Sequence, residues 1–198
     1  MQGRDAMALD GPDRGEGEGA SAREPGLVAG SAGAGDGPPP DRVPDVYYEP
    51  SPRDVVYAML RLAKVRPGDV VYDLGCGDGR VVITAARRFG ARGVGIEIDP
   101  RRLTESRDMA DLAGVADLLE FRRQDFFTAP IADATVLTLF LSPELNLALR
   151  PRLLRDLRPG ARIVSHWHDM DDWPPQETRH IWSNSRERPI YLWTVPEH

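Results

Sequence analysis

Apolar and polar positions switch between two periods from residue 51 onward. Val55, Val56, Met59, Leu60 and Ala63 recur at helical spacing behind Ser51-Pro52-Arg53-Asp54. A capping serine, a proline suited to the first helical position and an acid near the N-terminal dipole predict a helix opening there. Pro67-Gly68 ends it. Short β-branched runs over 69–74, 93–98, 118–123, 134–141 and 162–166 read as strands. Helical patterns fall over 79–89, 100–113 and 143–157. The last apolar runs, 178–183 and 190–195, read as an antiparallel pair. Strands alternating with helices predict right-handed βαβ units and an α/β sheet covered on both faces. Ligands of such sheets sit beyond the carboxyl ends of the strands, where the strand order reverses.

Composition changes this picture at one end. Residues 1–44 hold 10 of the 19 glycines and six prolines, with no aromatic residue. Such a segment cannot bury enough apolar surface to offset its ordering entropy, so a disordered tail over 1–44 and one folded domain over 45–198 are expected. The chain of 198 residues carries a net charge of −6, which argues against a broad basic nucleic-acid surface. Eight acids and four arginines lie in the tail, so the remainder is nearly neutral and that argument weakens. The start lacks the apolar stretch of a secretory signal, and no apolar run reaches the ~18 residues of a membrane span. A cytoplasmic protein without a membrane partner is the expectation.

Candidate chemistry concentrates in Val70-Val71-Tyr72-Asp73-Leu74-Gly75-Cys76-Gly77-Asp78-Gly79-Arg80. A strand enters a glycine-rich turn and then a helix. Gly75 permits the tight turn, and Gly77 lets backbone approach a ligand. The dinucleotide spacing would put a third glycine at position 80, where Arg80 stands. Three acids fall at successive strand ends: Asp73, Glu97 and Asp125. Together they would repel a pyrophosphate. They suit a ligand with a cationic amine and sulfonium, a ribose diol and an adenine amine. Asp73 would face the amine, Glu97 the ribose hydroxyls and Asp125 the adenine amine, with Phe126 on the base.

These stretches resemble the cofactor motifs of the seven-strand S-adenosylmethionine methyltransferases. The resemblance implies a Rossmann-like, seven-stranded, doubly wound sheet, mostly parallel with an antiparallel C-terminal hairpin strand. It implies S-adenosyl-L-methionine as cofactor. Three further stretches, Tyr47-Tyr48-Glu49-Pro50-Ser51-Pro52, Leu139-Phe140-Leu141-Ser142-Pro143-Glu144-Leu145-Asn146 and Arg158 to His166, are similar to the seven-strand protein-lysine methyltransferases. These include the non-SET histone-lysine enzyme and its mitochondrial relatives. Bacterial methyltransferases without an assigned substrate are more similar still. In the lysine enzymes a tyrosine-proline segment folds over the cofactor, which implies that role for Tyr48, Pro50 and Ser51. The histone enzyme has asparagines where this chain has Leu139-Phe140-Leu141.

The resemblance implies methyl transfer to a nitrogen, foremost a protein lysine, with a small molecule or RNA as the alternative acceptor. A non-catalytic module that keeps the fold is the alternative of another class. Exocyclic amines usually call for an Asn/Asp-Pro-Pro-aromatic loop, and here the chain reads Leu141-Ser142-Pro143-Glu144. Cytosine C5 chemistry needs a nucleophilic thiol, and Cys76 sits within the glycine loop. Phe140 and Asn146 are candidate substrate-channel residues. Ser142 and His166 are candidate catalytic residues, His166 as base. His166-Trp167-His168-Asp169-Met170-Asp171-Asp172 lacks the spacing of a known metal motif, so no metal is expected.

Overall fold

The computed structural model describes residues 49–197; the expected 1–44 tail and Tyr48 lie outside them. The element order is α1 (Arg53–Leu62), β1 (Val70–Leu74), α2 (Arg80–Phe89), β2 (Arg92–Glu97), α3 (Pro100–Leu112), β3 (Leu119–Arg123), β4 (Val136–Leu139), α4 (Pro143–Asp156), β5 (Arg162–His166), β6 (Glu177–Ser183) and β7 (Arg186–Thr194). One sheet runs β3-β2-β1-β4-β5-β7-β6. Only β7 runs against its neighbours, antiparallel to both β5 and β6. The β6–β7 turn has Asn184 and Ser185 at φ +50° and +61°, the pair of left-handed residues that a tight hairpin of matching twist needs.

Side-chain alternation assigns the two faces. Val71 on β1, Val136 on β4 and Val164 on β5 pack under α1 and α2, against Val55, Val56, Met59 and Leu60. Tyr72, Leu74, Leu137, Leu139 and Ile163 face the other way, onto Leu149 and Leu153 of α4 and Trp193 of β7. Both faces are thus covered. The strand order reverses between β1 and β4, which places a crevice at their carboxyl ends.

Two sequence expectations change. Pro52 takes the N-cap position of α1, which has no side-chain cap, and Ser51 turns its hydroxyl to His166 instead. The fourth strand stops at Leu139, so Phe140 and Leu141 leave the sheet and become cavity wall.

Candidate active site

β1 feeds straight into the glycine loop, which β2 holds from beside it. Gly75 N and Cys76 N both donate to the Ile96 carbonyl, at 2.9 and 3.0 Å. Gly79 forms the N-cap of α2 at φ +75°, and a Cβ there would lie 2.8 Å from Cε1 of Phe121 and 2.9 Å from Cβ of Ser106. The third glycine needed by this turn is therefore Gly79, not position 80. Arg80 instead pairs with Asp78 and donates from Nη1 to the Ser51 carbonyl at 2.9 Å.

A cavity of about 530 Å³ opens over the ends of β1, β2 and β4. Asp73, Gly75, Glu97, Asp125 and Phe126 line it, as do Pro50, Ser51, Phe140 and Ser142. Gly77 is not part of the lining; it is buried, with its N–H donating to Glu97 Oε2 at 3.0 Å. Glu97 Oε1 accepts from Ile98 N and Asp99 N at 2.8 and 3.0 Å. Backbone donors on both oxygens hold this carboxylate in one orientation. Asp125 Oδ1 accepts from Phe127 N at 2.8 Å, shaping the turn that carries Phe126.

Asp73 is buried, and its cross-strand partner Thr138 donates to Oδ1 at 2.6 Å. Burial pushes its pKa up to about 7, Thr138 pulls it down, and the Asp78 and Glu97 carboxylates push it up. A buried acid whose charged neighbours are also acids suits a cationic ligand. Burial, with Asp73, Glu97 and Asp78 nearby, likewise pushes the Cys76 thiol up. It stays protonated, which makes it a poor nucleophile.

Two candidate residues, Asn146 and His166, lie outside the cavity lining. Asn146 is fully buried behind the wall, donating from Nδ2 to Ser165 Oγ and the His168 carbonyl, both at 3.1 Å. It does not line the cavity. Neither does His166, which is fully buried against Phe140 at 4.2 Å between ring centroids. Ser142 lines the cavity and also caps α4, accepting from Leu145 N at 3.4 Å. His168, two residues past the end of β5, also lines the cavity. Sequence reasoning missed Thr138, which only the register of β1 on β4 brings to Asp73. Among the described residues, no three His, Cys, Asp or Glu side chains converge as metal ligands, and no helix is long and apolar enough to cross a membrane.

Residues 73–177 match the family described as the ANTKMT methyltransferase domain. The chain belongs to that family. A protein-lysine N-methyltransferase of Saccharolobus islandicus is 41% identical over 157 residues, 79% of this chain and 98% of its own. The mouse adenine nucleotide translocase lysine N-methyltransferase is 33% identical over 63% of this chain, which spans only 56% of that relative's length. A crystal structure of an RNA methyltransferase from Salinibacter ruber, in complex with S-adenosyl-L-homocysteine, is 52% identical with a TM-score of 0.73, over 76% of this chain and 95% of that one. The protein is an S-adenosylmethionine-dependent methyltransferase with the seven-stranded fold expected from its sequence. The cavity presents groups whose chemistry suits that cofactor: a buried acid, a carboxylate held by backbone donors, and an acid beside a phenyl ring.

Proposed function

We propose that this enzyme methylates a lysine side chain of a protein. What carries the reading is the relationship with the archaeal protein-lysine enzyme, 41% identical along 98% of that enzyme's length. On this reading Asp73 receives the cofactor's ammonium, and Glu97 accepts from the ribose hydroxyls. Asp125 accepts from the adenine amine while Phe126 packs on the ring. Gly75 and Gly77 keep backbone close to the ligand, and Pro50 and Ser51 cover it.

The cofactor supplies a methyl group on a cationic sulfur. The chain aligns a neutral amine with it and excludes water. Phe140 and Leu141, outside the sheet, form an apolar wall that disfavours an ammonium and so favours loss of its proton. Ser142 and His168 add polar groups to the same wall, within reach of an incoming amine.

RNA is the second reading, favoured by the description of the Salinibacter ruber structure. Labelled-methyl transfer into cell extract, separated into protein, RNA and metabolite fractions, decides between them. Label in protein, located on lysine by mass spectrometry, is expected. Label confined to RNA or metabolites rejects the lysine reading.

A further inference from the structure

Glu49, Pro50 and Ser51 line the cofactor cavity, although they belong to no helix or strand and precede α1. Three ties hold them. Ser51 Oγ lies 2.8 Å from Nδ1 of His166, at the end of β5. The Ser51 carbonyl accepts from Arg80 Nη1, which α2 supplies at 2.9 Å. Glu49 Oε1 accepts from Arg186 Nη2, at the start of β7, also at 2.9 Å. Ties from α2, β5 and β7 thus converge on this three-residue segment.

The platform behind these ties is unusual. Trp167 adopts φ +75°, a left-handed conformation that costs a non-glycine residue free energy and persists only when its surroundings enforce it. Here the Trp167 N–H donates to the Pro189 carbonyl at 2.8 Å, so β7 enforces it. The indole then lies under the Arg186 and Arg188 guanidinium groups, at 5.0 and 5.7 Å from the ring centre. The strained residue sets the ring on which Arg186 rests while it reaches Glu49.

His166 fits this scaffold better than it fits proton transfer. Its ring is fully buried, it does not line the cavity, and Nδ1 is engaged by Ser51. Its Nε2 has no hydrogen-bond partner among the described residues. We infer that His166 and Arg186 are positioning residues, which hold residues 49–51 as a strap across the bound cofactor and thereby set how long it stays. Pro50 and Pro52 stiffen the strap, so ties at Glu49 and Ser51 suffice to fix the span between them.

The test is S-adenosyl-L-homocysteine dissociation from the full chain, followed by stopped-flow displacement. It needs no methyl acceptor, so it stands whether or not lysine is the substrate. Ser51→Ala and Arg186→Ala should each speed dissociation by about 3–10-fold, the loss of one hydrogen bond or ion pair. His166→Leu should match Ser51→Ala, and His166→Asn, which keeps a polar atom near the Nδ1 position, should restore slow release. The KM for S-adenosyl-L-methionine should rise in step with the off-rate and exceed the change in kcat. Arg179→Ala, in an exposed pair with Glu177 on β6, is the control and should release the ligand as wild type does. If His166→Leu does not fold, Ser51→Ala and Arg186→Ala decide. Wild-type dissociation in those two overturns the strap. A His166→Asn enzyme with normal off-rate and KM but collapsed kcat returns His166 to the chemistry and overturns its positioning role.

Discussion

The Thr138 hydroxyl donates a 2.6 Å hydrogen bond to Asp73 Oδ1, across paired positions of β4 and β1. It is the polar support of a buried acid that lines the cavity. Desolvation nonetheless dominates and lifts the Asp73 pKa to about 7. A cationic ligand favours the ionised form, so binding below that pH must expel a proton. Cofactor affinity should therefore climb by up to about tenfold per pH unit from pH 5.5 to 6.5 and flatten above 7. Calorimetry in buffers of different ionisation heat should detect proton release at pH 6. Asp73→Asn should bind weakly with no such slope. A flat wild-type profile would count against Asp73 as the cation's partner.

Glu97 poses a sharper test, because each of its oxygens accepts from backbone N–H groups. Glutamine is nearly isosteric but replaces one oxygen with a donor. If its oxygen keeps Ile98 and Asp99, its NH2 meets the Gly77 N–H donor to donor. The substitution thus disturbs both the proposed ribose acceptor and the glycine loop. Glu97→Gln should weaken S-adenosyl-L-homocysteine binding by at least about 30-fold, the scale of losing charged hydrogen bonds. Calorimetry within threefold of wild type would refute this role.

The same geometry explains what could be read from the chain alone. β-Branched runs between glycines and prolines mark the strands, and acids at three strand ends mark the cavity, because both signals are local. Thr138 lies 65 positions from Asp73 and looks like one polar residue in an apolar strand; only sheet register gives it a partner. Ser51 carries the local signature of a helix cap, yet a histidine 115 positions away takes its hydroxyl. Asn146 follows a cavity-lining segment in sequence, but helical geometry turns it inward to the carbonyls after β5. Local patterns reveal elements and their chemistry, while contacts between distant strands decide which polar group meets which.

Asp73 and His166 should pull acid stability in opposite directions. The folded Asp73 pKa near 7 lies above its ordinary value of 3.8, so folded protein keeps a proton that the unfolded chain loses between those values. Its contribution therefore improves as pH falls from 7 toward 4. Burial, then Arg188, His168 and Arg186, depresses His166 to about 4 from 6.5. The unfolded chain takes up that proton first, so this contribution is full above pH 6.5 and erodes as pH falls toward 4. Each effect amounts to roughly 2 kcal/mol between pH 7 and 5. Urea unfolding across that range should show Asp73→Asn losing stability in acid, and His166→Asn gaining it, each more steeply than wild type. At pH 8, Asp73→Asn should be more stable than wild type by roughly 1–3 kcal/mol, since it removes a buried charge. Parallel pH profiles for the three proteins would show that neither group is perturbed as described.

Gly95 connects packing to the cofactor site without any backbone strain. It lies in β2, opposite Phe121 of β3 and beside Asp73 of β1. A Cβ there would sit 2.7 Å from Sγ of Cys76 and 2.8 Å from Cδ1 of Phe121. The Phe121 ring already lies close to Gly79 on its other side, so a shift at Cys76 of the glycine loop is needed as well. Overpacking of this kind costs about 1–3 kcal/mol. Gly95→Ala should lower the melting temperature by several degrees, at about 2–4 °C per kcal/mol for a chain of this size. It should also weaken S-adenosyl-L-homocysteine binding, because Cys76 is flanked by Gly75 and by Gly77, the donor to Glu97. The thiol itself makes only a 4.0 Å contact with the Gly77 carbonyl, so Cys76→Ala alone should cost little. Combined with Gly95→Ala it removes the nearer clash, and the double variant should bind ligand better than Gly95→Ala alone. Strictly additive losses in that cycle would show that the loop does not transmit the strain.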